Sequence, residues 1–209
     1  MKKVTILLVF TFLIIFLSSC LKTLHPIFTV KDIVYEQKLL GTWKAKASND
    51  DLAFAVITNL SSDNSIELPE KIVAIKQKGY LILYKNQNGE IIDQFIAFLA
   101  RIGEHLYFDY YPADKKEDRK LDEFWREHFI KMHTSFRVEI ANDGSFELSQ
   151  FDESYLTDLI DKKKIRISHE TDPDDNVVIT ASTSALQRYI IKYGDDPSAY
   201  RSEKITFKK

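Results

Sequence analysis

The chain predicts an α+β domain that is mostly β: an antiparallel barrel or strongly curved meander sheet with about three packed helices. Three observations lead there. Runs such as Tyr80–Tyr84 and Leu106–Tyr111 alternate their side chains with a period of two, as strands do. Short turn signals punctuate such runs, among them Asn86-Gln87-Asn88-Gly89 and Asn142-Asp143-Gly144. In three places, 121–132, 153–162 and 182–193, the apolar period lengthens to that of a helix. Consecutive hairpins make a meander, and closing a meander removes its exposed edges.

The N-terminus comes first. Lys2 and Lys3 precede Val4–Leu17, 14 residues broken only by Thr5 and Thr11. As a helix that run spans roughly 21 Å, short of the about 30 Å of a hydrocarbon core, so it reads as a secretory leader. Leu17-Ser18-Ser19-Cys20 follows, an aliphatic residue, two small ones and the chain's single cysteine. This resembles the lipobox of bacterial lipoproteins. The resemblance implies that Cys20 carries a diacylglycerol and further acyl chains such as palmitate, with cleavage just before it. Two or more chains give stable anchoring where one does not. It also implies an address: the cell envelope, lipid-anchored. No acidic residue stands at 21–24, so we expect the outer membrane, facing the periplasm. The division expected is 1–19 leader, 20–35 lipidated anchor and short tether, and 36–209 a single β-rich domain.

After one helical turn at Glu36–Leu40, the stretch Leu39-Leu40-Gly41-Thr42-Trp43 opens the first barrel strand. It is similar to the opening of lipocalin-like barrels, where Gly-x-Trp starts the first strand and the Trp plugs the floor. By itself Trp43 is a core aromatic at a strand start. Ala53–Leu60 is the next strand, with a polar loop at 61–64. Lys71–Lys76 is β-rich, and Lys78-Gly79 turns into Tyr80–Tyr84. Ile91–Arg101 is long and apolar on both faces in its second half. One face should meet the barrel interior and the other a packed helix. Ile102-Gly103 turns it into Leu106–Tyr111, with Tyr107 and Tyr111 on one face and Leu106, Phe108 and Tyr110 on the other.

Beyond a charged loop at 114–120, Leu121, Phe124, Trp125, His128, Phe129 and Met132 form one helical stripe. Thr134–Ala141 and Ser145–Gln150 are strands joined at Asn142-Asp143-Gly144. Asp152 caps a helix over 153–162. Ile165–Ser168 and Val177–Thr180 read as short strands around an acidic loop. A last helix lies between Ser182 and Tyr193, with Ser182 or Ser184 as its cap, Ser184 and Gln187 fitting a capping box, and Gly194 as its end. Lys204–Phe207 closes the chain. The lipobox, the Leu-Leu-Gly-Thr-Trp run and a helix after Thr180-Ala181-Ser182-Thr183-Ser184 together look like a family of uncharacterised bacterial lipoproteins. That likeness brings no activity with it.

Composition narrows the partners. Without its leader the chain has 27 basic and 31 acidic residues, a net charge of −4. Charges of both signs alternate, so no basic face for nucleic acid is expected. Chemistry is not signalled either. His128 and His133 are five apart and share no helix face; we read His128 as a core residue and His133 as a partner of a helix end. Neither a zinc-binding His-Glu-x-x-His pattern, a nucleophile elbow nor a phosphate loop is present. We therefore expect no catalytic residues, metal or cofactor.

The aromatic count, 10 Tyr, 14 Phe and 2 Trp, leaves two readings open. Trp43, Tyr107, Tyr110, Tyr111, Trp125 and His128 could line a pocket for a small apolar or amphipathic ligand, which needs at least about 300 Å³. Alternatively they are core and wall, Trp43, Ile82, Tyr84 and Phe95 interdigitate, and the body supports another envelope protein.

Overall fold

A computed structural model describes residues 21–46, 52–66, 68–113, 130–172 and 176–209. The leader, Cys20 with its lipobox, and the expected helical stripe through Trp125 and His128 lie outside the described residues. Only the last three residues of that stretch, 130–132, are described, and they are irregular chain.

Twelve strands are described: β1 (Lys22–Thr23), β2 (Ile33–Val34), β3 (Gly41–Lys46), β4 (Phe54–Asn59), β5 (Gly79–Lys85), β6 (Ile91–Ile102), β7 (His105–Pro112), β8 (His133–Ile140), β9 (Phe146–Phe151), β10 (His169–Thr171), β11 (Val177–Ile179) and β12 (Tyr200–Lys208). The described helices are α1 (Glu70–Val73), α2 (Glu153–Asp161) and α3 (Thr183–Tyr193). Strands β3 to β9 pair antiparallel in chain order, and β12 slots between β9 and β3. The result is an eight-stranded, closed, antiparallel barrel, lipocalin-like in architecture and mostly β, with additional strands and helices on its outside.

The hairpins form where the turn residues stand. Gly144, with φ of +84°, closes the β8–β9 turn in a conformation other side chains adopt at a cost. Strand alternation then sorts the side chains. Tyr80, Ile82 and Tyr84 of β5 and Ala97 and Leu99 of β6 face the lumen. Leu81 of β5 and Ile96, Phe98 and Ala100 of β6 face an outer apolar layer built with α2, α3 and the N-terminal segment. The expectation that β6 is buried on both faces holds, for the reason given.

Several local expectations change. Residues 71–76 are not extended: α1 starts after Pro69, and Ile72 and Ile75, three apart, pack together on the outer layer while Val73 is exposed. Ile165–Ser168 is not a strand, because the amides of Lys164 and Ile165 turn back to the Leu159 carbonyl at the end of α2; the strand begins at His169. The Ser184–Gln187 capping box does not form. Ser182 holds the N-cap position, and Gln187 instead donates to the Ile27 carbonyl and the Asp32 carboxylate. Gly194 ends α3 in right-handed conformation. It is required for space: a Cβ there would lie 2.6 Å from the Tyr107 hydroxyl.

The largest change concerns residues 21–35, expected as a tether. They are built into the body. Strand β1 pairs with β8 on one side and β11 on the other. Strand β2 continues the edge of β6 where β5 stops, Gly79 lying opposite Phe98 and Ile33 opposite Ala100. Likewise β1 takes the start of β8, and β9 the rest. Both short strands thus occupy backbone edges that the barrel strands leave unpaired.

Candidate functional site

The lumen is the first place to look for a ligand, and among the described residues rings pack in contact through it. Trp43 packs edge-on against Phe146 at 4.9 Å, and Phe146 stacks on Phe207 at 4.7 Å. Phe207 stacks on Tyr84, Tyr84 meets Tyr110, and Tyr110 meets Phe108. Phe108 packs edge-on against Tyr80, which stacks on Tyr35. This chain of contacting rings runs through the lumen. Phe95 and Phe136 join it through Tyr110. Trp43 closes one end, its indole N–H donating to the Leu39 carbonyl at 2.9 Å. The hydroxyls of Tyr84 and Tyr110 bond each other at 2.9 Å, and burial pushes both phenols well above their ordinary range.

The residues expected to share a pocket are divided by the barrel wall. Trp43 and Tyr110 are in the lumen. Tyr107 and Tyr111 point the other way, into the outer layer, as the two-residue period of β7 requires. Trp125 and His128 lie outside the described residues. Of the cavities formed by described residues, one is lined by Leu21, Ile27, Ser135, Leu186 and Tyr189, and it measures about 10 Å³. That is room for about one water molecule.

Outside the barrel the polar groups are concentrated at two junctions. The first joins the wall to the N-terminal segment. Asp109, 1 % exposed, accepts from the Ile27 amide at 2.9 Å through Oδ2 and meets His133 Nδ1 at 2.5 Å through Oδ1. His133 does not end a helix, as its sequence position suggested; it is the first residue of β8, paired across from Thr23. Ser135 lies opposite Asp109 in the register, but its buried hydroxyl has no partner. Asp109, His133 and Ser135 are therefore neighbours without being wired as a proton relay. Sequence offered one signal for this junction: an aspartate at the centre of the apolar run Tyr107–Tyr111.

The second junction joins the wall to the end of α3. The Gly194 carbonyl accepts from Arg137 at 2.8 Å and from the Tyr200 hydroxyl at 2.9 Å. Tyr200 stacks on Phe151, and His105 bonds Asp195. A surface cleft of about 460 Å³ opens beside it, lined by Arg137, Glu139, Asp195, Tyr200, Arg201 and Lys204. Its charges are largely settled internally, since Arg137 pairs with Glu139 at 3.1 Å and Lys204 with Glu147 at 3.2 Å. A second cleft, about 480 Å³, lies between the C-terminal end of α2 and the start of β10.

Among the described residues no three or more His, Cys, Asp or Glu side chains are grouped as metal ligands. No described helix is long and apolar enough to cross a membrane. Comparison with protein families, with curated proteins and with solved structures gives no match.

Proposed function

We propose that this chain is a lipid-anchored protein of the bacterial envelope whose barrel is a solid platform for another envelope component. In this reading Cys20 carries the lipid, residues 1–19 are removed, and the body works by its outer surface without chemistry of its own. The observation that carries it is the continuous packing of rings from Trp43 to Tyr80 inside the barrel. A carrier of a small apolar ligand needs a void of at least about 300 Å³ in an apolar pocket. Filled space of this kind instead gives a rigid scaffold, because interiors packed at crystal density resist deformation.

Mass spectrometry of the protein purified from cell membranes tests the reading. The denatured chain is expected to lack residues 1–19 and to carry acyl mass at Cys20. Under native conditions it is expected to show no bound small molecule. An unmodified Cys20 would sink the anchor. A co-purifying apolar compound would overturn the platform in favour of a carrier.

A further inference from the structure

The cleft beside α2 differs from the one beside Arg137 in its charge. It is lined by Lys163, Arg166 and His169 together with Ile160, Ile165, Ile167 and Ser168, and by no acidic residue. Neighbouring Lys162 is neutralised by Asp158 at 2.7 Å, but Lys163 and Arg166 have no such partner among the described residues. Both are exposed, while Ile167 is buried and Ile160 and Ile165 are half-buried beneath them. His169 commits Nδ1 to the Ile167 carbonyl at 2.9 Å, which leaves Nε2 unused. Lys163 also has φ of +55°, the one non-glycine residue with positive φ among those described. That conformation belongs to the turn that ends α2, where the Lys163 amide donates to the Ile160 carbonyl at 2.9 Å and the Lys164 amide to the Leu159 carbonyl at 2.8 Å. The helix end accounts in part for the cations, since the C-terminal dipole favours them. It does not account for an apolar floor below unpaired charges.

The position of the cleft suggests what fills it. Strand order runs β10-β11-β1-β8. His169 lies opposite Ile179, and Ile179 opposite Thr23, so the cleft's histidine is two strands from β1, roughly 10 Å away. Strand β1 begins one residue after Leu21, which is itself buried. Any lipid on Cys20 would therefore be joined to a rigid part of the body by a single residue, and the faces near β1 would have to meet the bilayer.

We infer that the Lys163–Arg166–His169 cleft docks on the anionic headgroups of the bilayer that holds the protein, fixing how the barrel is presented to its partner. This rests on the anchored reading given above. Phosphate oxygens fit the cationic rim. The isoleucines beneath it suit a partly dehydrated interface, where basic side chains are drawn to an anionic surface.

Lysine acetylation read residue by residue by mass spectrometry tests this on the full acylated protein. The protein is reconstituted in vesicles of phosphatidylcholine alone or mixed with phosphatidylglycerol. Lys163 should be modified several-fold more slowly in the anionic vesicles, and Lys44, on a barrel strand three places from β8, equally in both. High salt or Arg166→Gln should remove the difference. Equal modification of Lys163 in both vesicles, with the protein still floating on phosphatidylcholine, overturns the docking and spares the anchor. Failure to float on phosphatidylcholine, with Lys163 still protected by phosphatidylglycerol, does the reverse. Protection by inorganic phosphate without vesicles would assign the cleft to a soluble anion and overturn the membrane role.

Discussion

The inside and the outside of the barrel wall are built from the same strands by different physics. Inside, cohesion is shared among many rings, most of them touching two or more others, and two of the polar atoms that enter, the Tyr84 and Tyr110 hydroxyls, satisfy one another. Outside, an apolar layer is held by discrete polar bonds: Asp109 to Ile27, and Arg137 and Tyr200 to Gly194, fasten it to the wall, and Gln187 fastens α3 to Ile27. The inner face should therefore fail as a whole, and the outer face one attachment at a time.

Phe207→Ala should have the largest effect. It removes a ring stacked on both Phe146 and Tyr84 and leaves a cavity, at about 3–5 kcal/mol. Urea unfolding should keep a single transition with a lowered midpoint. Two separated transitions would show that the lumen is not one cooperative unit. Asp109→Ala should cost somewhat less, about 3 kcal/mol, because it strands the His133 ring and the Ile27 amide. Its signature is local. Hydrogen exchange should accelerate in residues 21–35 and remain slow in β5 and β6; uniform acceleration would break the division between the two faces.

A smaller effect concerns pH. Burial tends to raise the Asp32 carboxyl, but hydrogen bonds from the Thr29 side chain and amide and from Gln187 outweigh it and hold the group below its usual range. Because the folded value is the lower one, the stabilisation is present above the unfolded value of about 3.9 and lost as pH falls through the folded value. Urea midpoints of the parent should thus drop faster than those of Asp32→Asn as pH falls below about 4. Parallel curves would remove Asp32 from the fastening of α3. Ser135→Ala is the smallest change. Since that hydroxyl is buried without a partner, its loss should be neutral or stabilise by up to about 1 kcal/mol. A clear loss of stability would mean that a water molecule in the small cavity was bonding it.

The same contrast explains what could be read from the sequence. Period-two runs and hairpin turns depend on neighbours a few residues apart, so β5 to β9 and the division of β7 into two faces were legible. Whether the lumen is open was not, since that depends on which rings from β3, β5, β7, β9 and β12 meet across it. The strands β1 and β2 are two residues long and carry no period; their partners lie more than a hundred residues away for β1 and more than sixty for β2. Residues 71–76 were misread because β-branched side chains suit a strand, whereas an isoleucine pair three apart also suits one turn of helix. His133 and Asp109 were legible as residues, but their meeting required the β7–β8 register.

Strand β1, gripped along both edges by β8 and β11, has a mechanical consequence. Tension entering at Leu21 would run along the strand, across its flanking hydrogen bonds. Those bonds would be sheared together instead of being peeled in turn. A molecule held by its first residues while a partner tugs on the barrel would resist up to a threshold force and then release its leading segment in one step. Pulling single molecules from the N-terminal end should show that step as a discrete early rupture, absent in Asp109→Ala.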